Sequence, residues 1–242
     1  MSTTMGDVVA EAALRRTRTS AAVVEYLQRE IFAGSLRYGD RVDVERIGTT
    51  LGVSPTPVRE ALVLLERDGL IATRVHRVAF VQHFDARTLR ADFHVLGLLG
   101  GVAAARVAKD RDPEILARLQ DLLRALDDSG ADNADSADSG RLLDLAAEIV
   151  LLQHRAGATP RLLADLRGAG GFLEWAARQS DRRAPGEIVE AQRRVVDAIV
   201  AGDPRKASRA RLQDTRAAAE QVIDELIRRG VLRADGTNAA AG

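Results

Sequence analysis

Cysteine is absent from the 242-residue sequence, and aromatic residues make up only 3% of it. The lack of cysteine excludes disulfides, thiolate metal sites, iron–sulfur clusters and cysteine nucleophiles. Proline is also scarce, with 6 residues, which disfavours a turn-rich all-β sandwich or barrel. Alanine, leucine and arginine are abundant instead, and these strong helix formers favour a mainly α protein. The length allows one or two domains.

Long hydrophobic runs are missing as well. The longest uncharged apolar run extends from Val95 to Ala105 and ends at Arg106, whereas a membrane-spanning helix needs ~20 apolar residues. The N-terminal segment has no apolar stretch of the kind found in signal peptides. We therefore expect a cytoplasmic protein with no membrane partner.

Neither sign of charge is in excess, because 35 lysines and arginines are balanced by 35 aspartates and glutamates. Sequence-independent DNA binding depends on neutralising phosphates, so this balance disfavours an architectural polyanion binder. It is compatible with a specific binder that concentrates arginine on one small face. An enzyme is not expected, since the sequence has only four histidines and neither a glycine-rich phosphate loop nor a nucleophile elbow. We predict no catalytic residues and no cofactor.

The N-terminal third predicts three helices after a flexible arm over residues 1–18. Apolar residues recur at helical spacing over 20–32, 43–51 and 54–69. Gly52 ends the second helix. Ser54 is the predicted N-cap of the third helix, and Pro57 lies in its first turn, where a missing N–H costs little.

Two β-like segments follow, over 70–74 and 78–82, joined by a turn. The order helix, short helix, turn, helix and hairpin is that of a winged helix-turn-helix, which we assign to residues 19–83. In such a domain the third helix points its N-terminus outward. Backbone N–H groups there favour phosphate, and short polar side chains can reach base edges.

From Asp85 onward the apolar spacing is helical throughout, which predicts a helical domain over 85–229. Residues 127–140 are acidic, small and polar, and predict a solvated, mobile loop. Residues 230–242 are predicted to form a frayed tail. The predicted fold is therefore mainly α, with an N-terminal winged helix-turn-helix followed by an all-helical bundle.

The segment 53–70, VSPTPVREALVLLERDGL, resembles the turn and recognition helix of the GntR superfamily of bacterial transcription regulators. The helical half resembles the FCD subfamily through DLAAEIVLLQHRAGATPRL at 144–162 and VVDAIVAGDPRKA at 195–207. The resemblance covers about residues 18–229. It implies a homodimer that binds a double-stranded operator palindrome, with repression favoured. It also implies that a small-molecule effector in the helical bundle changes DNA affinity.

The resemblance places DNA contacts at the recognition helix, the helix before it and the tip of the wing. These residues are Arg46, Ser54, Pro55, Thr56, Arg59, His76 and Arg77. Arg59 could bind guanine as a bidentate fork, or a phosphate; the alternative is a salt bridge with Glu60 or Glu66. His76 is either a minor-groove contact or an exposed turn residue, and Val78 stands where the family usually has glycine.

The helical domain departs from its subfamily at positions that hold a divalent metal in many members. An aspartate, a histidine one turn later and two further histidines are replaced by Ala146, Val150, Gln192 and Asp214. The resemblance therefore implies no metal. His154 lies one turn beyond Val150, so His154 and Asp214 are either a residual metal site or ordinary pocket residues.

An arginine and a glutamate common in the subfamily are replaced by Gly97 and Gly101. These glycines indicate either close approach of a neighbouring helix or space for a ligand. Without the metal and this arginine, a small carboxylate would lose two of the anchors that the resemblance implies, so a larger or more apolar effector is predicted. The alternative is an effector-independent architectural or constitutive DNA-binding protein. The predicted effector-binding residues are His94, Gly97, Val150, His154, Trp175, Gln192 and Asp214.

Overall fold

The computed structural model describes residues 5–74, 78–131 and 139–237. The chain forms two compact units. The first comprises the chain up to Ala86 together with the residues from Glu225 onward, and the second comprises Arg87–Asp224.

The secondary structure is nine helices and three short strands within the described residues. The first unit contains α1 (Met5–Ala33), β1 (Arg41–Val42), α2 (Val44–Leu51), α3 (Pro55–Arg67), β2 (Ile71–Arg74) and β3 (Val78–Val81). The remaining helices are α4 (Ala86–Asp110), α5 (Pro113–Ala131), α6 (Ser139–Gly157), α7 (Pro160–Ser180), α8 (Pro185–Val200) and α9 (Pro204–Arg228). The last turn of α9 belongs to the first unit.

Helix α1 packs against α3 through apolar stripes at helical spacing. Their fully buried side chains are Val23, Leu27, Ile31, Val58, Ala61 and Leu65. The Ser20 hydroxyl donates a 2.7 Å hydrogen bond to Glu60, which also joins the two helices. Helix α1 begins at Met5, where the sequence predicts a flexible arm. The reason is that alanine and arginine are frequent in this segment and no proline interrupts it.

The turn between α2 and α3 depends on two glycines. Gly52 has a left-handed backbone with φ of +64°, which L side chains adopt at a cost. Gly48 lies under the turn: its carbonyl accepts from the Val53 N–H at 2.9 Å. A Cβ at Gly48 would lie only 2.9 Å from the Val53 carbonyl oxygen. The two glycines therefore fix the angle at which α3 leaves the turn.

Ser54 occupies the N-cap position of α3, as predicted, but the prediction that its side chain caps the helix is wrong. Its backbone is extended, and its hydroxyl makes no capping hydrogen bond. An N-cap side chain normally accepts from the second or third N–H of the helix. Pro57 occupies the third position and has no N–H, so Thr56 offers the one remaining donor.

The three strands form an antiparallel sheet in the order β1–β3–β2. Val42 pairs with Ala79, and Thr73 pairs with Ala79 from the other side. A hydrogen bond from the Thr73 N–H to Glu66, at 3.0 Å, ties the sheet to α3. Val78 pairs with Arg74 at the end of the hairpin, and the wing-tip residues 75–77 lie outside the described residues.

The end of the chain packs against the N-terminal elements. Val231 and Leu232 are buried, and the Gly236 carbonyl accepts from the Ala86 N–H at 2.9 Å. The Arg229 guanidinium lies 4.6 Å from the centroid of the Phe32 ring. The first unit therefore includes residues that the sequence assigns to a frayed tail, because Val231 and Leu232 anchor them.

The second unit is a helical bundle whose core is formed mainly by α5, α6 and α8. Its fully buried large side chains include Leu119, Leu126, Leu142, Ile149 and Ile199. Helix α5 continues to Ala131 and α6 begins at Ser139, so the described ends of the predicted loop 127–140 are helical. The middle of that loop, residues 132–138, lies outside the described residues.

Helix α4 is the one helix in the described ranges that is long and apolar enough to span a membrane by length and composition. Half of its most apolar 18-residue stretch is buried inside the protein.

The glycines of α4 allow close contact with α9. A Cβ at Gly97 would lie 2.8 Å from Leu212 Cδ1, and one at Gly101 would lie 2.7 Å from the Ser208 Oγ. Close helix approach therefore accounts for Gly97 and Gly101.

Candidate functional site

The recognition helix α3 has one buried face and one exposed face. Val58, Leu62 and Leu65 face the core, whereas Thr56 and Arg59 are exposed. Residues three and four apart share a helix face, so Thr56, Arg59 and Val63 form one outward row. Val63 is 65% exposed. This row offers a hydroxyl, a guanidinium and an apolar contact for base edges or phosphates.

Arg59 is available for such a contact. It is exposed and forms no ion pair within the described residues. The two carboxylates that could have neutralised it are used elsewhere: Glu60 accepts from the Ser20 hydroxyl, and Glu66 accepts from the Thr73 N–H. The salt-bridge alternative for Arg59 is therefore not what the structure contains.

Helix α2 supplies a second exposed arginine. Asp43 caps α2 by accepting from the N–H groups of Glu45 and Arg46, both at 3.0 Å. The hydrogen bond from the Arg46 N–H, and then that from Glu45, hold the pKa of Asp43 below its usual value. The cap fixes the first turn of α2, from which the exposed Arg46 side chain projects. His76 and Arg77, predicted at the wing tip, lie outside the described residues.

The second unit contains a cavity of about 380 Å³ bounded by α4, α6, α7, α8 and α9. This volume is within the range of ~300–1,000 Å³ that is usual for small-molecule sites. Its apolar walls include Phe93, Leu96, Leu143, Val150, Leu151 and Trp175, and its polar groups include His154, Glu174, Arg183, Gln192, Arg211 and Asp214. The cavity is therefore mainly apolar with one polar region.

Arg211 is the centre of the polar region. It is 3% exposed, and its Nη1 donates to Asp214 at 2.9 Å. Its Nη2 donates to Gln153 at 3.0 Å and to Gln192 at 3.1 Å. Burial lowers the pKa of Arg211, and the charge of Asp214 opposes this effect. A buried guanidinium is stable here because a carboxylate and two amide oxygens replace its lost hydration.

Asp214 joins Arg211 to a second arginine. The Nη1 of Arg183 donates to Asp214 Oδ1 at 2.9 Å, and its Nη2 donates to Asp181 at 2.6 Å. Gln192 also donates to Asp214, at 3.2 Å. Each carboxylate oxygen of Asp214 therefore accepts from a guanidinium group.

His154 lies in the cavity wall and is 6% exposed. Burial, together with the positive charge of Arg211, lowers the pKa of His154 to about 4. The imidazole is therefore neutral near pH 7. Its neighbours do not fit a metal site, because Asp214 is bound by two arginines. No group of three histidine, cysteine or acidic residues in the described part of the chain could hold a metal ion.

The cavity brings together five of the seven residues that the sequence predicts for the effector: Val150, His154, Trp175, Gln192 and Asp214. Gly97 packs against Leu212 instead. His94 lies in a surface groove, where its Nδ1 is 3.2 Å from Arg216 Nη2. Sequence reasoning missed Arg183, Arg211 and Glu174. Of these three residues, only Arg211 could have been predicted from the sequence, because it lies one helical turn before Asp214.

Comparisons with known proteins agree with this architecture. Residues 19–81 match the model of the family described as bacterial regulatory proteins, gntR family. An HTH-type transcriptional regulator of Mycobacterium tuberculosis is 33% identical over 213 residues, which cover 87% of this chain and 83% of that protein. A protein of Paenarthrobacter nicotinovorans named "Probable D-xylose utilization operon transcriptional repressor" is 27% identical over 201 residues, covering 81% and 85% of the two chains.

Solved structures show the same fold. McbR/YncC of E. coli superposes with a TM-score of 0.57 at 21% identity, over 84% of this chain and 97% of that one. A GntR regulator from Rhodococcus sp. RHA1 superposes with a TM-score of 0.55 at 22% identity, over 86% and 98%. These two solved structures thus share the overall fold of this chain. The chain belongs to the GntR family of bacterial regulatory proteins, and it is a DNA-binding transcription regulator.

Proposed function

We propose that the protein is a ligand-responsive repressor that binds an operator palindrome as a homodimer. A small molecule in the cavity of the second unit modulates its DNA affinity. The observation that carries this proposal is that helix α9 contributes residues to both units. This helix supplies Arg211 and Asp214 to the cavity, while its last turn from Glu225 belongs to the DNA-binding unit.

The last turn of α9 is anchored by charge as well as by apolar contacts. Glu225 is 2% exposed and accepts from Arg229 at 2.6 Å and from Arg228. Arg229 in turn stacks on Phe32 of α1. A ligand that displaces Arg211 or Asp214 acts on the same continuous helix that ends at this anchor. Helix α9 is therefore the coupling element of the proposed mechanism.

We assign DNA contacts to Arg46, Thr56 and Arg59, with Ser54 and Pro55 beside them at the start of α3 and His76 and Arg77 in the wing. Arg59 acts on guanine or phosphate, and the hydroxyls of Ser54 and Thr56 act mainly on phosphate. The unpaired state of Arg59 and the exposure of α3 support this assignment. Because the chain is neutral, affinity rests on these placed groups and on dimer symmetry rather than on bulk charge.

We assign the dimer interface to one face of α4. Val95, Leu98 and Val102 are each about half exposed, at 49%, 48% and 49%. Their spacing of three and four residues places them in one row. An apolar row of this kind on a helix is stabilised when a second copy covers it, and a two-fold axis pairs the row with itself.

The test of the proposal is the response of operator binding to a cavity ligand. A thermal-shift screen of metabolites on the full-length protein identifies ligands, and fluorescence anisotropy then measures operator affinity with and without them. We expect a ligand that raises the melting temperature to change operator affinity, and the Val150→Trp variant, with a filled cavity, to lose this response. Operator affinity that is indifferent to every stabilising ligand would favour a constitutive DNA-binding protein.

A further inference from the structure

The charges that the described residues place around the cavity are paired, with one exception. Arg178 is bound by Asp144, and Arg183 is bound by Asp181 through hydrogen bonds of 2.6 to 3.2 Å. Arg211 is bound by Asp214. Each cavity arginine therefore has its own carboxylate, and none presents an uncompensated positive charge to a ligand.

Glu174 is the exception. It lines the cavity from α7, yet in the described part of the chain its carboxylate has neither a hydrogen bond nor an ion pair. The carboxyl group lies over Gly170, one turn earlier: a Cβ at Gly170 would be 2.8 Å from its carbon and from Oε1. The glycine thus leaves room for the carboxylate to lie along the helix.

The surroundings of Glu174 leave its charge poorly compensated. Burial raises the pKa of Glu174, and the charge of Arg211 opposes this only in part. The Glu174 residue is exposed, and its carboxyl group lies against Gly170. His154 adds no positive charge, since its imidazole is neutral near pH 7. With Glu174 ionised, the three arginines that line the cavity meet three carboxylates of the lining and a fourth, Asp144, which binds Arg178 from outside the cavity. One carboxylate, that of Glu174, is therefore left without an arginine of its own.

We propose that the cavity takes a ligand with an apolar or aromatic body and a cationic amino group, and that Glu174 binds this ammonium. The assignment rests on the proposed function, in which the cavity is the effector site. Phe93, Leu96 and Trp175 supply an apolar wall for the body of the ligand, with the Trp175 ring stacked on Phe172 at a centroid distance of 5.9 Å.

A carboxylate ligand is disfavoured by the same arrangement. It would enter beside Glu174, Asp181 and Asp214, and no arginine among the described cavity residues is left without an acidic partner. A buried charge without a partner is costly, whereas an ammonium beside Glu174 gives that carboxylate the partner it lacks.

Three probes of similar size separate these cases: phenethylamine, hydrocinnamate and phenethyl alcohol. Calorimetric titration of the full-length protein at neutral pH should give the tightest binding for phenethylamine, by about tenfold or more over hydrocinnamate. Glu174→Gln should remove that preference. Glu148→Gln is the matched control, since Glu148 pairs with Arg118 at 2.9 Å outside the cavity; it should change none of the three.

The outcomes separate the amine assignment from the function of the cavity. If hydrocinnamate binds as tightly as phenethylamine, or if Glu174→Gln leaves amine binding intact, the amine assignment is overturned while the cavity is still a ligand site. If no probe binds, phenethyl alcohol included, both the amine assignment and the cavity as effector site are contradicted. Binding of all three probes should be lost in the Val150→Trp variant. Binding that persists in this variant takes place outside the cavity and also overturns the amine assignment.

Discussion

Arg211 and Asp214 lie one turn apart on α9, and Nη1 of Arg211 donates a 2.9 Å hydrogen bond to Oδ2 of Asp214. Gln192 contacts both side chains, accepting from Arg211 and donating to Asp214. Gln192 and Asp214 stand at two positions where the FCD subfamily, which this sequence resembles, carries metal ligands. Here these two residues bind a guanidinium cation instead, so the polar region of the cavity is held together by side chains alone.

Arg59 should contribute to DNA affinity without contributing to stability. Arg59→Ala removes an exposed, unpaired guanidinium, so we expect operator binding to weaken by about 1–3 kcal/mol with an unchanged melting temperature. Fluorescence anisotropy at constant salt measures the effect. Arg67→Ala is the control, because Arg67 is also exposed on α3 but lies beside Asp68 at its C-terminal end. Equal effects of the two substitutions would contradict the assignment of Arg59.

The exposed apolar row of α4 allows a direct test of the proposed homodimer and its interface. Leu98→Glu should convert the dimer into a monomer, because a carboxylate buried in an apolar interface has no partner. Sedimentation velocity measures the change, and circular dichroism checks that the helices are retained. Gln120→Glu adds the same charge to an exposed position of α5 and should leave the dimer intact. A Leu98→Glu protein that is still dimeric would place the interface elsewhere.

Two helical glycines should respond in opposite ways to alanine. A Cβ at Gly157 would overlap the Ala103 carbonyl oxygen, and the Arg106 Nε donates to the Gly157 carbonyl at 2.6 Å. Gly157→Ala should therefore lower the free energy of unfolding by about 1–3 kcal/mol. At Gly168 on α7 a Cβ would project into open space, so Gly168→Ala should stabilise by up to about 1 kcal/mol. Chemical denaturation measures the free energy of unfolding of both variants. A Gly157→Ala protein as stable as the wild type would argue against close contact of α4 and α6.

The neutral state of His154 predicts a loss of stability in mild acid. Its pKa is lowered from 6.5 to about 4 in the folded protein, so the unfolded state binds the proton more tightly. The contribution to stability is fully present above pH 6.5 and is lost as the pH falls towards 4, by at most about 3 kcal/mol.

Glu174 has a raised pKa and acts in the opposite direction, since protonation in acid favours its folded form. The comparison of the wild type with His154→Gln isolates the histidine. The variant should lose less stability between pH 6.5 and 4 in urea denaturation. Parallel pH profiles for the two proteins would show that His154 titrates normally.

The sequence predicts the fold well where the signal is local. Gly52 and the apolar stripes of α1 and α3 identify the helix-turn-helix, because each depends on spacing within one element. The capping hydrogen bond of Ser54 is absent, and Pro57 removes one of the two N–H groups that it could bind. The packing of Val231 was missed because it lies beside Gly34, near the other end of the chain.

The cavity was predicted only in part, because some of its residues share one helix whereas others are brought together from distant parts of the chain. Val150 and His154 follow from a resemblance along one helix. The pairing of Arg211 with Gln153 and Gln192 joins positions 58 and 19 residues apart, and no periodicity in a single sequence encodes it. The charge balance that leaves Glu174 unpaired becomes visible only when the helices are assembled.

In the proposed function, this neutral chain recognises one DNA sequence through placed side chains and two-fold symmetry. The most direct measurement is anisotropy titration of the full-length protein against a selected palindrome and a scrambled duplex of equal length at physiological salt. We expect the palindrome to bind about 10³-fold or more tightly than the scrambled duplex. Equal affinity for the two duplexes would contradict it.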